Sequence, residues 1–146
     1  MYTGSYAINM DAKGRMAVPS RQRELLVECC GGRLVVTAHH EDDCLLVYPE
    51  SEWQEQLPKL LALPNTNKAA RHIQRRMIGH AAELDLDANG RLLLPPTLRA
   101  FAGLEKKLML IGVGNKYELW SEERWNNQMQ LSVAEELPAN LQDLSF

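Results

Sequence analysis

The chain has 146 residues, enough for one hydrophobic core or for two small units that share one. Its 45% hydrophobic and 24% charged residues are typical of a soluble globular protein, and no apolar run approaches the roughly 18 residues of a membrane-spanning helix. Three cysteines make no disulfide framework and no signal-peptide pattern opens the chain, so we expect an unprocessed cytoplasmic protein without a membrane partner.

The net charge of −3 argues mildly against a nucleic-acid partner, but it hides a local asymmetry. Residues 1–23 carry four basic side chains and one acidic side chain, which gives a local charge of +3. The corresponding residues 77–99 carry two basic and three acidic side chains, which gives −1. One segment of the chain is therefore basic although its counterpart is not.

These two segments are counterparts because a five-residue motif occurs in each. Residues 11–15 read Asp-Ala-Lys-Gly-Arg, and residues 87–91, which lie 76 positions later, read Asp-Ala-Asn-Gly-Arg. Apolar residues alternate on both sides of each copy, which predicts two strands joined by a turn, that is, a β-hairpin. The Asp side chain can accept hydrogen bonds from backbone N–H groups, and Gly supplies a positive φ at the exit. The turn-forming residues are Asp11, Gly14, Asp87 and Gly90.

The elements of the first half follow in order along the chain. Strand, turn and strand occupy about residues 5–18. A helix of about residues 21–30 is then capped by Ser20 and ended by Gly31. Two further strands, at about 34–37 and 44–48, are joined by a polar loop.

The second half repeats this order after a helical linker. Trp53 begins a helix that Pro58 should kink or divide, and Asn65 or Asn67 caps a second helix that ends near Gly79. The apolar faces of the helices exceed what small β units can bury, so we expect the chain to form a homo-oligomer. The later elements are a helix at 97–102, strands at 108–112 and 117–120, and a partly helical stretch at 122–146.

Lys13 and Arg15 are the strongest candidates for a functional site, and the function that they indicate is DNA binding. A two-stranded ribbon fits the major groove, where Arg pairs with guanine through two hydrogen bonds and Lys suits a phosphate or a guanine. Arg21 and Arg23 lie nearby in the sequence and extend the basic segment. Arg91 serves either DNA binding or an ion pair that holds its own turn.

A second basic cluster lies in the linker. It is either a solvated helix face or a supporting phosphate contact. Its members are Lys68, Arg71, His72, Arg75 and Arg76.

The sequence gives no catalytic site, metal site or cofactor. The cysteines and the adjacent histidines follow no zinc-ligand spacing, so the cysteines are more simply interpreted as small buried hydrophobes. Asp11 and Asp87 could form a carboxylate pair of the aspartic-protease kind, which keeps a hydrolase as an alternative. An Arg four residues after each Asp would hold both carboxyls ionised, and this speaks against the alternative.

The doubled motif, with an apolar residue and Pro after each copy, resembles the MraZ family of bacterial transcriptional regulators. A single copy would suggest only the wider AbrB, SpoVT and MazE group of swapped-hairpin proteins. The resemblance runs the full length of the chain. Further stretches that carry it are Gln74–Arg76, Gly79–Ala81, Tyr117–Trp120 and Leu141–Leu144.

The resemblance implies an α+β fold in which two tandem AbrB-like swapped-hairpin units form one pseudo-two-fold β-barrel. A helical linker and a C-terminal helix would be attached to this barrel. The predicted divisions are a first repeat at 5–52, a linker at 53–80, a second repeat at 81–124, and a C-terminal helix and tail at 125–146.

The resemblance also implies a function and a site. Subunits would form rings that bind short repeated boxes of double-stranded DNA and repress a division and cell-wall gene cluster, their own gene included, in the nucleoid. On this chain the DNA-contacting motif falls on Asp11, Lys13, Gly14 and Arg15. The second copy has Asn89 in place of Lys13, so whether it touches DNA stays open. An antitoxin-like module that also binds a protein partner is the alternative, which a helical C-terminus disfavours.

Overall fold

The computed structural model describes residues 1–131 and 138–145. Within these residues the chain forms an α+β fold of eight strands and five α-helices. The strands are β1 (Tyr2–Asn9), β2 (Arg15–Ala17), β3 (Arg33–Ala38), β4 (Leu45–Pro49), β5 (Ala82–Asp85), β6 (Arg91–Leu93), β7 (Lys107–Gly114) and β8 (Tyr117–Ser121). The helices are α1 (Ser20–Cys30), α2 (Glu50–Leu61), α3 (Lys68–Met77), α4 (Pro96–Ala102) and α5 (Glu122–Gln130), and a 3-10 turn follows at Ala139–Leu141.

The strands form two separate ladders. Six of them make an antiparallel sheet in the order β1-β7-β8-β4-β3-β5, while β2 and β6 pair in a two-stranded ribbon. In the sheet, β1 pairs with β7 of the second half and β5 pairs with β3 of the first half. Exchanging β1–β4 for β5–β8 reproduces every pairing, so the topology carries an internal two-fold symmetry that follows the sequence repeat.

The prediction that each motif joins the two strands of one hairpin is wrong. The strands on either side of the first turn meet only at a single bridge between Met10 and Met16. The reason is that β1 is paired along its length with β7, from Tyr2 opposite Gly114 to Asn9 opposite Lys107. Each turn therefore carries the chain from the sheet to the ribbon, which is a different layer.

The predicted closed barrel does not form either. Among the described strands, β1 and β5 remain the two edges of the sheet, and the ribbon is a ladder of its own. The break lies at the turns, where the chain leaves the sheet before it enters the ribbon.

The ribbon packs its inner face on one side of the sheet. Met16 and Leu92, which lie directly opposite each other in the ribbon, are completely buried. Burying a side chain of this size contributes ~1.5–3 kcal/mol relative to leaving it exposed. Helices α1 and α4 complete this layer, and the shared core includes Leu26, Leu34, Val36, Leu45, Val47, Leu98, Leu108, Leu110, Tyr117 and Leu119.

The linker helices cover the other side of the sheet. Trp53 of α2 and Met77 of α3 pack on alternate residues of β3 and β4, which are Val35, Leu46 and Tyr48. One chain thus buries much of the helical surface that we assigned to subunit contacts, because β3 and β4 offer an apolar face on each side. Among the described residues, the large apolar side chains that remain exposed on or next to these helices and α5 are Leu61, Met129 and Leu131.

The predictions for helix ends have different outcomes. Asn67 caps α3 by accepting a hydrogen bond from Ala70 N at 3.0 Å, and Gly31 ends α1 with φ of +65°, so both predictions are confirmed. The predicted Ser20 cap is wrong, because Pro19 occupies the cap position and Ser20 is the first helical residue. Ser20 Oγ instead accepts a hydrogen bond from Arg23 at 3.2 Å.

Pro58 does not divide the linker helix. It lies inside α2, which continues without a break to Leu61. A proline there removes one backbone donor and costs ~3 kcal/mol in a helix interior, so the packing of Trp53, Leu57 and Leu60 on the sheet must outweigh that cost. Tertiary contacts here override the local signal.

The predicted helical stretch at 122–146 is confirmed at its start by α5. Its remainder falls partly on residues 132–137 and 146, which lie outside the described residues. None of the helices in the described part of the chain combines the length and the apolar character that crossing a membrane requires.

Candidate nucleic-acid interface

The first turn is a network centred on the Asp11 carboxylate. Oδ1 accepts hydrogen bonds from the backbone N–H groups of Lys13 (3.0 Å) and Arg15 (2.9 Å), and Oδ2 accepts from Arg15 Nε (2.8 Å). Gly14, with φ of +92°, donates its N–H to Asp11 O at 3.0 Å and closes the turn. These donors hold the pKa of Asp11 below its ordinary value, and the backbone N–H of Arg15 is the main cause.

The second turn has the same design. Asp87 Oδ1 accepts from the N–H groups of Asn89 and Arg91, both at 2.8 Å, and Oδ2 lies 3.3 Å from Arg91 Nε. The pKa of Asp87 is lowered as well, chiefly by the backbone N–H of Arg91. The two turns therefore present the same backbone and differ at one exposed side chain, which is Lys13 in the first and Asn89 in the second.

The register of the ribbon places both arginines on one surface. Arg15 lies opposite Leu93 and Ala17 lies opposite Arg91, and cross-strand partners share a face of a ladder. The outer face of the ribbon, which we call the ribbon face, therefore consists of these four residues. Leu93 is 56% exposed, and the side chains of Arg15 and Arg91 are 33% and 34% exposed.

Each arginine of the ribbon face is oriented before any ligand arrives. Nε of Arg15 is bound by Asp11 and Nε of Arg91 by Asp87, while their terminal nitrogens form no hydrogen bond with another residue in the described ranges. A planar guanidinium with open terminal N–H groups can donate two parallel bonds to O6 and N7 of guanine. Because the carboxylate already fixes the side chain, less conformational entropy is lost on binding.

Each turn is also held by the opposite half of the chain. Leu94 N donates to Gly14 O at 2.9 Å, and Val18 N donates to Gly90 O at 3.1 Å. The two glycines are therefore joined to the residues that directly follow the ribbon strands of the other repeat. A turn cannot move without disturbing both halves.

Two further arginines pack against these glycines. A Cβ added to Gly14 would lie 2.8 Å from Cζ of Arg99, and one added to Gly90 would lie 2.2 Å from Cδ of Arg23. Arg23 also donates to Asn89 O at 3.0 Å. The positive φ favours glycine at both positions, and an added side chain would also require the neighbouring arginine to move.

The candidate residues therefore divide into two groups. Lys13, Arg15 and Arg91 lie on the turns or the ribbon face, whereas Arg23 lies against the second turn and not beside Lys13. Arg21 is exposed and forms a loose ion pair with Glu24, at 3.5 Å. Contact of any of these residues with DNA stays a prediction.

Sequence reasoning did not select Arg99 for the site. The structure puts its guanidinium beside the first turn, where its Nε donates to Leu94 O at 3.0 Å. The signal was present, since Arg99 is the counterpart of Arg23 in the 76-residue repeat. Local sequence alone would not have shown that each arginine serves the turn of the other half.

Neither interpretation of the basic linker cluster holds for Arg76. Its Nε donates to His39 O at 2.7 Å, and a terminal nitrogen donates to Asp42 O at 3.0 Å. Its guanidinium also lies 4.7 Å from the centre of the Phe101 ring. Arg76 thus fastens the loop between β3 and β4 to α3, while Lys68, His72 and Arg75 are exposed.

Asp11 and Asp87 do not form the carboxylate pair of the hydrolase alternative. The ribbon is antiparallel, so the turns that precede β2 and β6 lie at its opposite ends. Each carboxylate is bound to its own arginine. Of the cysteines, Cys30 and Cys44 are buried as expected, but Cys29 is exposed.

Comparison with known proteins gives the same repeat. The model of a family described as "MraZ protein, putative antitoxin-like" matches the chain twice, at residues 1–76 and 77–143. The chain belongs to the MraZ family. Each of the two MraZ matches contains one of the turns described above, so the resemblance inferred from the doubled motif is confirmed.

Curated MraZ relatives are similar to the chain from end to end. The protein named "Transcriptional regulator MraZ" from Saccharophagus degradans is 58% identical over the whole of both chains. Its namesake from Marinobacter nauticus is 57% identical over 99% of this chain and 98% of its own, and that from Pseudomonas aeruginosa is 46% identical over 99% of each.

Proposed function

We propose that the chain is a DNA-binding regulator of transcription, not an enzyme, and that it reads DNA with the ribbon face. The observation that carries the proposal is the pair of arginines, Arg15 and Arg91, which share one ribbon surface and are each oriented by an aspartate. A two-stranded ribbon can enter the major groove, and Arg with guanine is the commonest specific contact there. The names of the MraZ relatives support the same function.

The two ends of the ribbon take different roles in this proposal. Arg15 reads a guanine while Lys13, next to it on the turn, contacts a phosphate or a second guanine. Arg91 reads a base at the other end, where Asn89 suits an adenine through N6 and N7. Arg21 contributes a phosphate contact, and Arg23 acts by holding the second turn.

The finer parts of the proposal concern assembly and target. Subunits form a ring that places several ribbon faces on repeated promoter boxes and represses a division and cell-wall gene cluster, with the cytoplasmic nucleoid as its location. One ribbon per chain supports this, because linked weak sites gain ~10²–10⁴ in avidity over a single one. A light-scattering mass of the free protein shows whether such a ring exists.

We also propose that the repeats at 5–52 and 81–124 are swapped hairpins, with a linker at 53–80 and a C-terminal segment at 125–146. The pairing of β1 with β7 and of β5 with β3 supports this relation, because each half supplies a strand to the sheet of the other.

Arg15→Ala tests the function. We expect loss of specific binding to a duplex of the promoter of the chain's own gene cluster, since a lost bidentate pair costs ~1–3 kcal/mol per subunit. The fold should persist, because the core rests on the inward neighbour Met16. The measurement is fluorescence anisotropy against a random-sequence duplex, with circular dichroism as the folding check.

Two matched variants sharpen this test. Lys59→Ala removes an exposed charge from α2, on the opposite side of the sheet, and should leave specific binding unchanged. Arg91→Ala should reduce specific DNA affinity less than Arg15→Ala does, because the turn beside Arg91 carries Asn89 where the turn beside Arg15 carries Lys13. Specific binding by Arg15→Ala at the wild-type level would remove the ribbon face from the proposal.

An antitoxin-like module that also binds a protein is the second candidate, because the matching family description contains that term. Its binding to DNA would have the same log–log salt slope of about −0.9 per phosphate contact as that of a pure DNA reader. What would distinguish it is a second binding event, to a protein partner, with a much less steep salt dependence.

A further inference from the structure

A lysine from the second half of the chain lies beside the first turn. The carbonyl oxygen of Lys106 accepts a hydrogen bond from Met10 N at 2.8 Å, which places this residue next to the start of the turn at Asp11. The Lys106 side chain is exposed and has no hydrogen bond or ion pair within residues 1–131 and 138–145. A depression of about 410 Å³ joins the two segments, and its lining is Met10, Asp11, Ala12, Arg99, Glu105 and Lys106.

The equivalent place beside the second turn has no such cation. When the halves are exchanged, the Met10–Lys106 bond corresponds to the bond from Leu86 N to Gly32 O, at 2.9 Å. Glycine therefore stands where the first turn has a lysine, and the next residue, Arg33, is paired with Glu50 at 3.0 Å. The two positions are equivalent in the backbone but differ in charge, because only the first carries a lysine.

The side chains of the first turn and of this depression form an edge with a net positive charge, whereas Glu122 and Glu123 line a separate depression on the other side of Lys106. Asp11 is neutralised by its ion pair with Arg15 at 2.8 Å, which leaves Glu105 as the acidic side chain in the depression. Against it stand Lys106 and Arg99 in the depression and Lys13 on the turn itself. An anion is therefore the ligand that this edge favours.

The position of Lys106 selects a phosphate and not a base. Met10 bridges to Met16 on one side and bonds to Lys106 on the other, so Lys106 lies two strand spacings from the Arg15 strand. Two spacings of ~4.8 Å set an upper limit of roughly 10 Å, because the chain changes layer between Met10 and the ribbon. A centred ribbon in a major groove ~12 Å wide has the groove walls about 6 Å to either side, so a residue off the ribbon face and to its side is closer to the phosphates than to the base edges.

We propose that Lys13 and Lys106 form one phosphate-binding edge, built from both halves of the chain, at the first-turn end of the ribbon face. The edge anchors that end of the ribbon to the DNA backbone, and the second-turn end has no equivalent. Each subunit therefore binds its box in one orientation, although its backbone is nearly symmetric. This inference rests on the proposed function and adds a residue and a polarity to it.

The test is the salt dependence of DNA binding by Lys106→Gln. A neutral Gln should remove one phosphate contact per subunit, which makes the slope of log K against log salt less steep by ~0.9 for each bound subunit. Lys106→Arg keeps the charge and should keep the slope. Lys59→Gln, which removes an exposed lysine on the opposite side of the sheet, is the matched control and should also keep it. Circular dichroism and light-scattering mass establish that fold and assembly are equal in all variants.

Every outcome bears on the inference. A lower slope for Lys106→Gln, with wild-type slopes for the other two variants, supports it. An unchanged slope for Lys106→Gln, or an equal change in Lys59→Gln, overturns it. Arg15→Ala is measured in parallel. Wild-type binding of DNA by Arg15→Ala would contradict the proposed function itself. Loss of DNA binding in Arg15→Ala, together with an unchanged salt slope in Lys106→Gln, would contradict only the phosphate-binding edge.

Discussion

Gly90 carries two constraints at a single residue. Its φ is +72°, and an added Cβ would lie 2.2 Å from Cδ of Arg23. Gly90→Ala should therefore destabilise the fold by ~1–3 kcal/mol through backbone strain, with a further cost for moving Arg23. Urea unfolding followed by tryptophan fluorescence measures the total.

Gly31 supplies the matched control for this prediction. It has φ of +65°, but the nearest atom to its added Cβ lies 3.7 Å away, so Gly31→Ala isolates the strain. The double variant Gly90→Ala with Arg23→Ala should regain the stability that Gly90→Ala loses through the clash with Arg23, and should still show the loss caused by backbone strain. If Gly90→Ala costs no more than Gly31→Ala, the packing of Arg23 on the turn does not restrict position 90.

At the residue scale, the sequence predicts those contacts that are made between residues close together along the chain. The hydrogen bonds of Asp11 to Lys13 and Arg15 span two and four residues, so turn chemistry is enough to anticipate them. Arg99 beside Gly14 is a contact across more than half of the chain. Lys106 reaches the same turn only because β1 pairs with β7. The turn motif alone does not predict contacts with residues that a distant element of the fold places beside it.

At the element scale, Arg76 on α3 should be a stability residue. It donates to the backbone carbonyls of His39 and Asp42 in the loop between β3 and β4. Arg76→Ala leaves these acceptors without a charged donor, so we expect a loss of roughly 1.5–3 kcal/mol in the free energy of unfolding. Urea unfolding measures the loss, and amide hydrogen exchange shows whether the loop opens first.

The neighbouring Arg75 gives the comparison. It is exposed on the same helix, and Arg75→Ala should change stability by no more than ~0.5 kcal/mol. Similar values for the two variants would mean that Arg76 does not fasten the loop.

Helix and strand positions were largely predictable, whereas their partners were not. Asn67 and Gly31 fix the ends of α3 and α1 by side-chain and backbone chemistry that acts within a few residues. Alternation around residues 5–18 marks two strands, but an alternating strand is satisfied by any neighbour that covers its apolar face. The pairing of β1 with β7 is therefore invisible to a local pattern, and so is the packing that keeps α2 intact through Pro58.

At the scale of the whole molecule, the two halves should be inseparable as folded monomers. β1 needs β7, β5 needs β3, and β2 needs β6, so a cut in the exposed turn between α2 and α3 leaves each half with one of the five ladders in which its strands take part. We expect fragments 1–65 and 66–146 to lack a stable monomeric fold and to recover the native circular dichroism when mixed one to one.

A single substitution tests whether reassembly uses the native pairing. A Cβ on Gly112 would lie 2.5 Å from Thr3 N, so Gly112→Ala in the second fragment obstructs the β1–β7 ladder. Mixing should then fail or become much weaker. A fragment 1–65 that folds stably as a monomer, or reassembly that ignores Gly112→Ala, would contradict this prediction.

The β1–β7 ladder also means that β1 has to wait for its partner strand while the protein is being synthesised. β1 leaves the ribosome first, and its partner strand follows roughly 100 residues later. At ~5–20 residues per second the interval is roughly 5–20 s. During that time the backbone N–H and C=O groups of β1 are unpaired. They can form hydrogen bonds with other exposed strands, including β1 of the next nascent chain on the polysome. We therefore expect the speed of translation between β1 and β7 to influence whether β1 pairs with its own β7 or with that of a neighbour.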